Sequence, residues 1–123
     1  MSAVAEKEKD VIRLVERVIV RGPGGEEKVR AKIDTGADRT TVDKILADRL
    51  KLGPAVSRVT IKASAAGQKV ERPVVNASIV ISGRVYELKV GVADRSQMKY
   101  RVIIGRDILR SGDFLIDPSR RKK

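Results

Sequence analysis

The chain has 123 residues, 41% of them hydrophobic, which suits one domain around one modest core. It carries 27 Lys and Arg against 16 Asp and Glu, a formal net charge of +11, and has neither Cys nor His. Disulfides, thiolate nucleophiles, Cys/His zinc sites and Ser-His-Asp or Cys-His catalysis are therefore excluded, leaving carboxylates, Lys, Ser/Thr or an oxygen-ligated metal for any hydrolytic chemistry.

In chain order, residues 1–10 read as a polar leader of mixed charge, with no apolar segment of signal-peptide type. No apolar run is long enough to span a bilayer, so the expectation is a cytoplasmic protein without a membrane partner. Val11 to Val20 is rich in β-branched residues and predicts a strand. Gly22-Pro23-Gly24-Gly25 is a turn, and Lys28 to Ile33 is the returning strand of an opening hairpin. Thr40 or Thr41 could cap a short helix through Val42, Ile45, Leu46 and Leu50, stopped by Gly53-Pro54. Arg58 to Ala63 and Lys69 to Val75 are two extended stretches on either side of Ser64-Ala65-Ala66-Gly67-Gln68. Ala77 to Ile81 and Tyr86 to Val92, joined by Ser82-Gly83, predict another hairpin. Arg95 to Lys99 is a polar loop, Tyr100 to Ile104 a buried-type strand, Arg106 to Arg110 one helical turn, and Phe114 to Ile116 a last strand. About seven short strands in one small domain over 11–117 predict an all-β barrel or sandwich, followed by a basic tail over 118–123.

Part of the positive charge lies in that tail, Arg120-Arg121-Lys122-Lys123. The remainder is either a solvated surface or a match for an acidic partner or substrate. Tyr86, Tyr100 and Phe114 are the only aromatics. Without a stacking platform, binding of single-stranded nucleic acid is disfavoured.

Two segments carry the chemistry. Val29, Ala31 and Ile33 lead an apolar run into Asp34-Thr35-Gly36-Ala37-Asp38-Arg39-Thr40, and a second run, Val102-Ile103-Ile104, ends in Gly105-Arg106-Asp107. An isolated Asp-Thr-Gly is a common turn, since Asp and Thr bond local amides and Gly permits positive φ. An Ile-Ile-Gly run is by itself an ordinary core strand meeting a turn. Taken together, the two segments resemble the sequence marks of the retropepsins, the half-size dimeric aspartic proteases.

The resemblance spans about Val18 to Ile116. It implies a small closed-barrel, pepsin-half fold with one or two short helices. Asp34 would be the catalytic carboxylate, with Thr35 and Gly36 shaping its loop. Ala37, Asp38, Gly105 and Arg106 would support the site, with an Asp38–Arg106 ion pair, half-buried, bracing its floor. Ser64, Ala65, Ala66, Gly67 and Gln68 would be the tip of a substrate-covering flap. No second Asp-[Ser/Thr]-Gly occurs in the chain, so the second aspartate would come from another copy about a two-fold axis. Two carboxylates sharing one proton would then activate a water for attack on a peptide bond, with no metal or cofactor.

Glu71-Arg72-Pro73-Val74-Val75 and Asp94 to Tyr100 are also similar to cellular relatives associated with ATP-grasp ligases of the glutamate-adding type, which are labelled ATP-dependent zinc proteases. Zinc ligands of the Cys/His kind and a phosphate-binding Gly-rich loop are missing here. Asp38 is an acid as in the viral enzymes, where the cellular relatives tend to carry arginine. The resemblance thus implies a homodimer acting on polypeptides. The alternative is a non-proteolytic binding or maturation module on the same fold, associated with an ATP-grasp ligase.

Overall fold

Valines and isoleucines alternating with charged residues build most of the molecule, which a computed structural model describes over residues 9–62 and 67–119. Strand β2 (Val15–Gly22) turns through Pro23-Gly24 into β3 (Gly25–Ile33). Val18, Val20, Ala31 and Ile33 are buried, whereas Arg17, Arg21, Lys28, Arg30 and Lys32 are exposed, as a one-sided strand pair requires. Gly22 has no room for a side chain, because a Cβ there would meet Leu52 Cδ2 at 2.4 Å and the Leu50 carbonyl oxygen at 2.5 Å.

The expected strand from Val11 to Val20 is two strands. β1 (Asp10–Ile12) leaves the hairpin and pairs in parallel with β9 (Phe114–Ile116), Val11 opposite Leu115. At the break the Arg13 N–H donates to Glu16 Oε2 at 2.6 Å, a local bond that stands in for the ladder. The helix expected from Thr40 or Thr41 also begins later. Thr41–Asp43 is a strand, β4, and Val42 lies in it opposite Val92 and Val102. Helix α1 (Lys44–Arg49) is capped by Asp43, whose carboxylate accepts from Ile45 N–H at 3.1 Å.

β5 (Ser57–Lys62) and β6 (Lys69–Ile81) form the central hairpin. The two extended segments expected at Lys69 to Val75 and Ala77 to Ile81 are this single long β6. Pro73 does not break it, because β6 joins β7 (Arg84–Ala93) only from Val74 onward, where no proline N–H is missed. Ser82 and Gly83 both take positive φ, 53° and 75°, which matches the twist of a tight two-residue hairpin.

β8 (Val102–Ile104) and α2 (Arg106–Ser111) complete the elements. β2, β3, β8, β4, β7 and β6 are neighbours in that order, and β6 returns to β2. The result is the expected all-β class, as a six-stranded closed barrel with β5 attached at β6. The interior is aliphatic: Ile12, Leu46, Ile79, Ile81, Ile104 and Ile108 are at most 1% exposed. Each contributes about 1.5–3 kcal/mol by burial. Among the described residues no helix is long and apolar enough to cross a membrane.

Ile79 lies near the end of β6, opposite Val20 and Tyr86, with no exposure. Ile79→Ala should lower the unfolding free energy by about 2–5 kcal/mol in urea denaturation, since the closed barrel cannot collapse onto the void. An unchanged midpoint would contradict this account of the core.

Candidate active site

β3 and β8 run parallel with Ile33 opposite Ile104. The residues that come after them, Asp34 and Gly105, therefore emerge side by side. The Asp34 N–H donates to the Ile104 carbonyl at 2.9 Å, extending the ladder by one bond. The chain then turns: Gly36 N–H donates to Asp34 Oδ1 at 3.0 Å, and Ala37 N–H to the Asp34 carbonyl at 3.2 Å. Asp34 is half-buried, while Thr35 and Gly36 at the tip are exposed.

The second segment grips this loop from below. A Cβ on Gly105 would lie 2.7 Å from the Arg39 carbonyl carbon and 2.9 Å from the Ala37 carbonyl oxygen, so only glycine permits the approach. The Arg106 N–H donates to the Ala37 carbonyl at 2.8 Å, and its guanidinium donates to the Thr35 carbonyl at 2.8 Å. Arg106 also pairs with Asp38. That pair differs from the half-buried brace expected from sequence, because the Asp38 side chain is 89% exposed. Water screens such a pair to about 0–1 kcal/mol. The bond from Arg106 to the Thr35 carbonyl is the contact that holds the loop itself.

A buried clamp joins the two segments more tightly, and sequence reasoning missed it. Thr40 is fully buried. Its N–H donates to Asp107 Oδ2 at 2.9 Å, its hydroxyl donates to Asp107 Oδ1 at 2.7 Å, and that hydroxyl accepts from Gly105 N–H at 3.1 Å. Asp107 Oδ1 further accepts from Ile108 N–H at 2.8 Å, at the first turn of α2. The available signal was a pair of threonines directly before an apolar run, which read equally well as a helix cap.

Asp43 was missed too. It is fully buried and accepts from Arg95 N–H at 2.7 Å, besides its cap bond and a 3.4 Å contact with Arg101. Arg95 in turn donates from Nε to the Tyr100 carbonyl at 2.8 Å, closing the loop after β7. Burial lowers the proton affinity of the Arg95 guanidinium, and the carboxylates of Asp34 and Asp43 oppose that shift. Arg95 thus lies in the field of Asp34.

Asp34, Thr35, Gly36, Ala37, Asp38, Gly105 and Arg106 therefore share one place at the ends of β3 and β8. Of the expected flap tip, Gly67 and Gln68 are exposed at the end of the β5–β6 hairpin, and Ser64, Ala65 and Ala66 lie outside the described residues. Among the described residues no cluster of three acidic side chains is placed to hold a metal ion.

Comparison with known proteins gives concordant results. The family model described as aspartyl protease matches residues 18–108. Among curated protein sequences none matches this chain. Among solved structures, the chain is similar to the EIAV protease in complex with an inhibitor, at 26% identity and a TM-score of 0.62, covering 90% of this chain and 93% of that one. A Legionella pneumophila protein of unknown function is similar in fold, with 21% identity, a TM-score of 0.58 and coverage of 90% and 94%. The simian foamy virus protease shares the fold at 17% identity and a TM-score of 0.54, over 77% of this chain and 92% of that one.

The clamp and the exposed ion pair should differ in weight. Thr40→Val leaves the buried Gly105 N–H without its acceptor and should cost about 1–3 kcal/mol. Asp38→Ala should cost under about 1 kcal/mol. Chemical denaturation of both variants checks the order, and a larger loss for Asp38→Ala would overturn it.

Proposed function

The chain belongs to the aspartyl protease family, and from that premise we propose that it is a homodimeric aspartic endopeptidase with one Asp34 from each subunit at a shared site. The observation that carries the proposal is the Asp34 loop. It offers a single carboxylate that accepts from Gly36 N–H, on a backbone whose Asp34 N–H donates to the Ile104 carbonyl, at a tip whose Thr35 and Gly36 are exposed. One chain supplies only one such loop. A two-fold axis through the tip would supply the other.

Exposed apolar side chains on the terminal strands and beside the loop suit a second copy. Val11 and Leu115, register partners in the β1–β9 sheet, are 60% and 53% exposed. Leu14, whose carbonyl accepts from Ile33 N–H at 2.8 Å, is also exposed, and so is Met98. Leu14 and Met98 line a cavity of about 370 Å³ with Ile33, Arg95 and Tyr100, directly beside the loop. Exposed apolar side chains such as Leu14 and Met98 beside the loop are what a dimer contact would cover.

With two Asp34 carboxylates in hydrogen-bond range, like-charge repulsion leaves one proton between them. The ionised member takes a proton from water as the water oxygen bonds to the scissile carbonyl carbon. The protonated member passes its proton toward the carbonyl oxygen, giving a neutral tetrahedral intermediate. Proton transfer to the amide nitrogen then lets the C–N bond break. Thr35 and Gly36 hold the loop in position, Ala37, Asp38, Gly105 and Arg106 support it, and the segment between β5 and β6 that includes Gly67 and Gln68 covers the substrate.

Asp34→Asn should fold and dimerise but cleave unstructured peptides about 10²–10⁴-fold more slowly than the parent chain. Equal rates would sink the peptidase reading and leave a non-proteolytic binding or maturation module. Because one proton is shared, the rate should fall on both the acidic and the basic side of an optimum. Val11→Glu should sediment as a monomer and lose cleavage; an active monomer would remove the shared site.

A further inference from the structure

The outer face of the opening hairpin carries a row of cations without anions. In the β2–β3 register Arg17 stands directly opposite Arg30, Ile19 opposite Lys28 and Val15 opposite Lys32. Residues directly opposite share a face. Arg17, Lys28, Arg30 and Lys32 therefore lie together, on the side away from the buried Val18, Val20, Ala31 and Ile33. All four are exposed. Arg17, Lys28 and Arg30 line one cavity of about 310 Å³, in which Val29 is the other lining residue.

No carboxylate neutralises this cavity. Glu26 pairs with Arg21 at 2.8 Å and Glu27 with Arg49 at 2.9 Å. Glu16 stands opposite the buried Ala31, on the other face, and accepts from Arg13 N–H at 2.6 Å. Among the described residues, the side chains of the four cations have no hydrogen-bond or ion-pair partner. Water hydrates each of them singly, so the fold itself needs no anion here. Like charges directly opposite on paired strands nevertheless repel, and Arg17 faces Arg30 in that way. An anion between them turns repulsion into a two-sided clamp, because each guanidinium offers a planar fork to phosphate oxygens.

The pattern fits one kind of anion. Alternate residues of a strand are about 6.8 Å apart, so Lys28, Arg30 and Lys32 extend over about 14 Å, a line rather than a point. None of the exposed large hydrophobic residues lies on β2 or β3. The face thus offers charge alone, without the apolar anchor on which peptide docking depends. A nucleic-acid backbone is bound in this way, through its phosphates and without reading bases. Scarcity of aromatics weighs against single strands but not against a duplex, whose bases are already stacked on one another.

We propose that Arg17, Lys28, Arg30 and Lys32 form a docking face for the phosphate backbone of duplex nucleic acid, independent of base sequence. Binding is read without cleavage, so this face stands or falls apart from the peptidase reading.

The test uses the full chain and a labelled DNA duplex of mixed sequence, followed by fluorescence anisotropy between about 50 and about 200 mM salt. Each phosphate contact adds about −0.9 to the slope of log Kobs against log salt, so four contacts predict a slope of about −3.6. Arg17→Gln/Arg30→Gln should make that slope shallower by about 2 and weaken binding at the low-salt end about tenfold or more. Lys28→Gln/Lys32→Gln should act alike. Lys44→Gln/Lys89→Gln, which removes two exposed charges from other elements, should leave the slope within about 0.5 of the parent. Urea midpoints check the fold, and Arg17→Gln/Arg30→Gln should hold or raise the midpoint because the like-charge pair is gone.

The basic tail is tested separately with Arg120→Gln/Arg121→Gln/Lys122→Gln/Lys123→Gln. No duplex binding at low salt, an unchanged slope in both face variants, or loss of binding in the tail variant alone would overturn the face. Tighter binding of a Glu-rich peptide, or of vesicles of anionic phospholipid, than of the duplex would overturn it too.

Discussion

The parallel pairing of β3 with β8 is the contact on which the site depends. Its register sets Ile33 against Ile104, so the residues leaving those strands must share one small volume. Two backbones cannot pass that closely if either carries a side chain at the crossing, and Gly105 is where the crossing occurs. The remaining contacts stabilise that approach. The Ile104 carbonyl receives Asp34, the Ala37 carbonyl receives Arg106, and the buried Thr40 hydroxyl bridges Gly105 and Asp107. Each joins one segment to the other, so the loop cannot relax without breaking both ends of the barrel floor.

The polar groups of this floor are unequal in a way that burial explains. Thr40 and Asp43 are fully enclosed and have their bonds made by backbone N–H groups and neighbouring side chains. Leaving such a group unpaired carries the full desolvation cost. Asp38 and Arg106 attract one another near open water, where most of that attraction is screened. A residue pair conspicuous in sequence therefore carries less energy than a threonine and an aspartate that looked incidental.

Positive charge divides in a similar way. Exposed residues such as Lys28, Arg30 and Lys32 on β3 sit in solvent opposite Ile19, Arg17 and Val15, where they need no partner. Arg72 and Arg95 are half-buried, and there the like charge of Arg95 lowers the proton affinity of Arg72.

Most hairpins were legible because a one-sided strand must alternate, as β2 and β3 show. The errors fell where local pattern and tertiary pairing disagree. Val11 to Val20 is uniformly β-forming, yet its first residues pair with β9 at the far end of the chain. Val42 has helical spacing with Ile45 and Leu46, but it is placed between Val92 and Val102 and is drawn into the sheet. By itself the sequence determined the all-β class, the exclusion of Cys and His chemistry, and that Asp34-Thr35-Gly36 occurs once, because these depend on residue types and their alternation. Only the tertiary structure decided that Thr40 and Asp107 clamp the loop, that Asp38 is exposed, and that Arg95 bonds Asp43 and the Tyr100 carbonyl. Those depend on contacts between segments far apart in the chain, whose distances and burial no local pattern encodes.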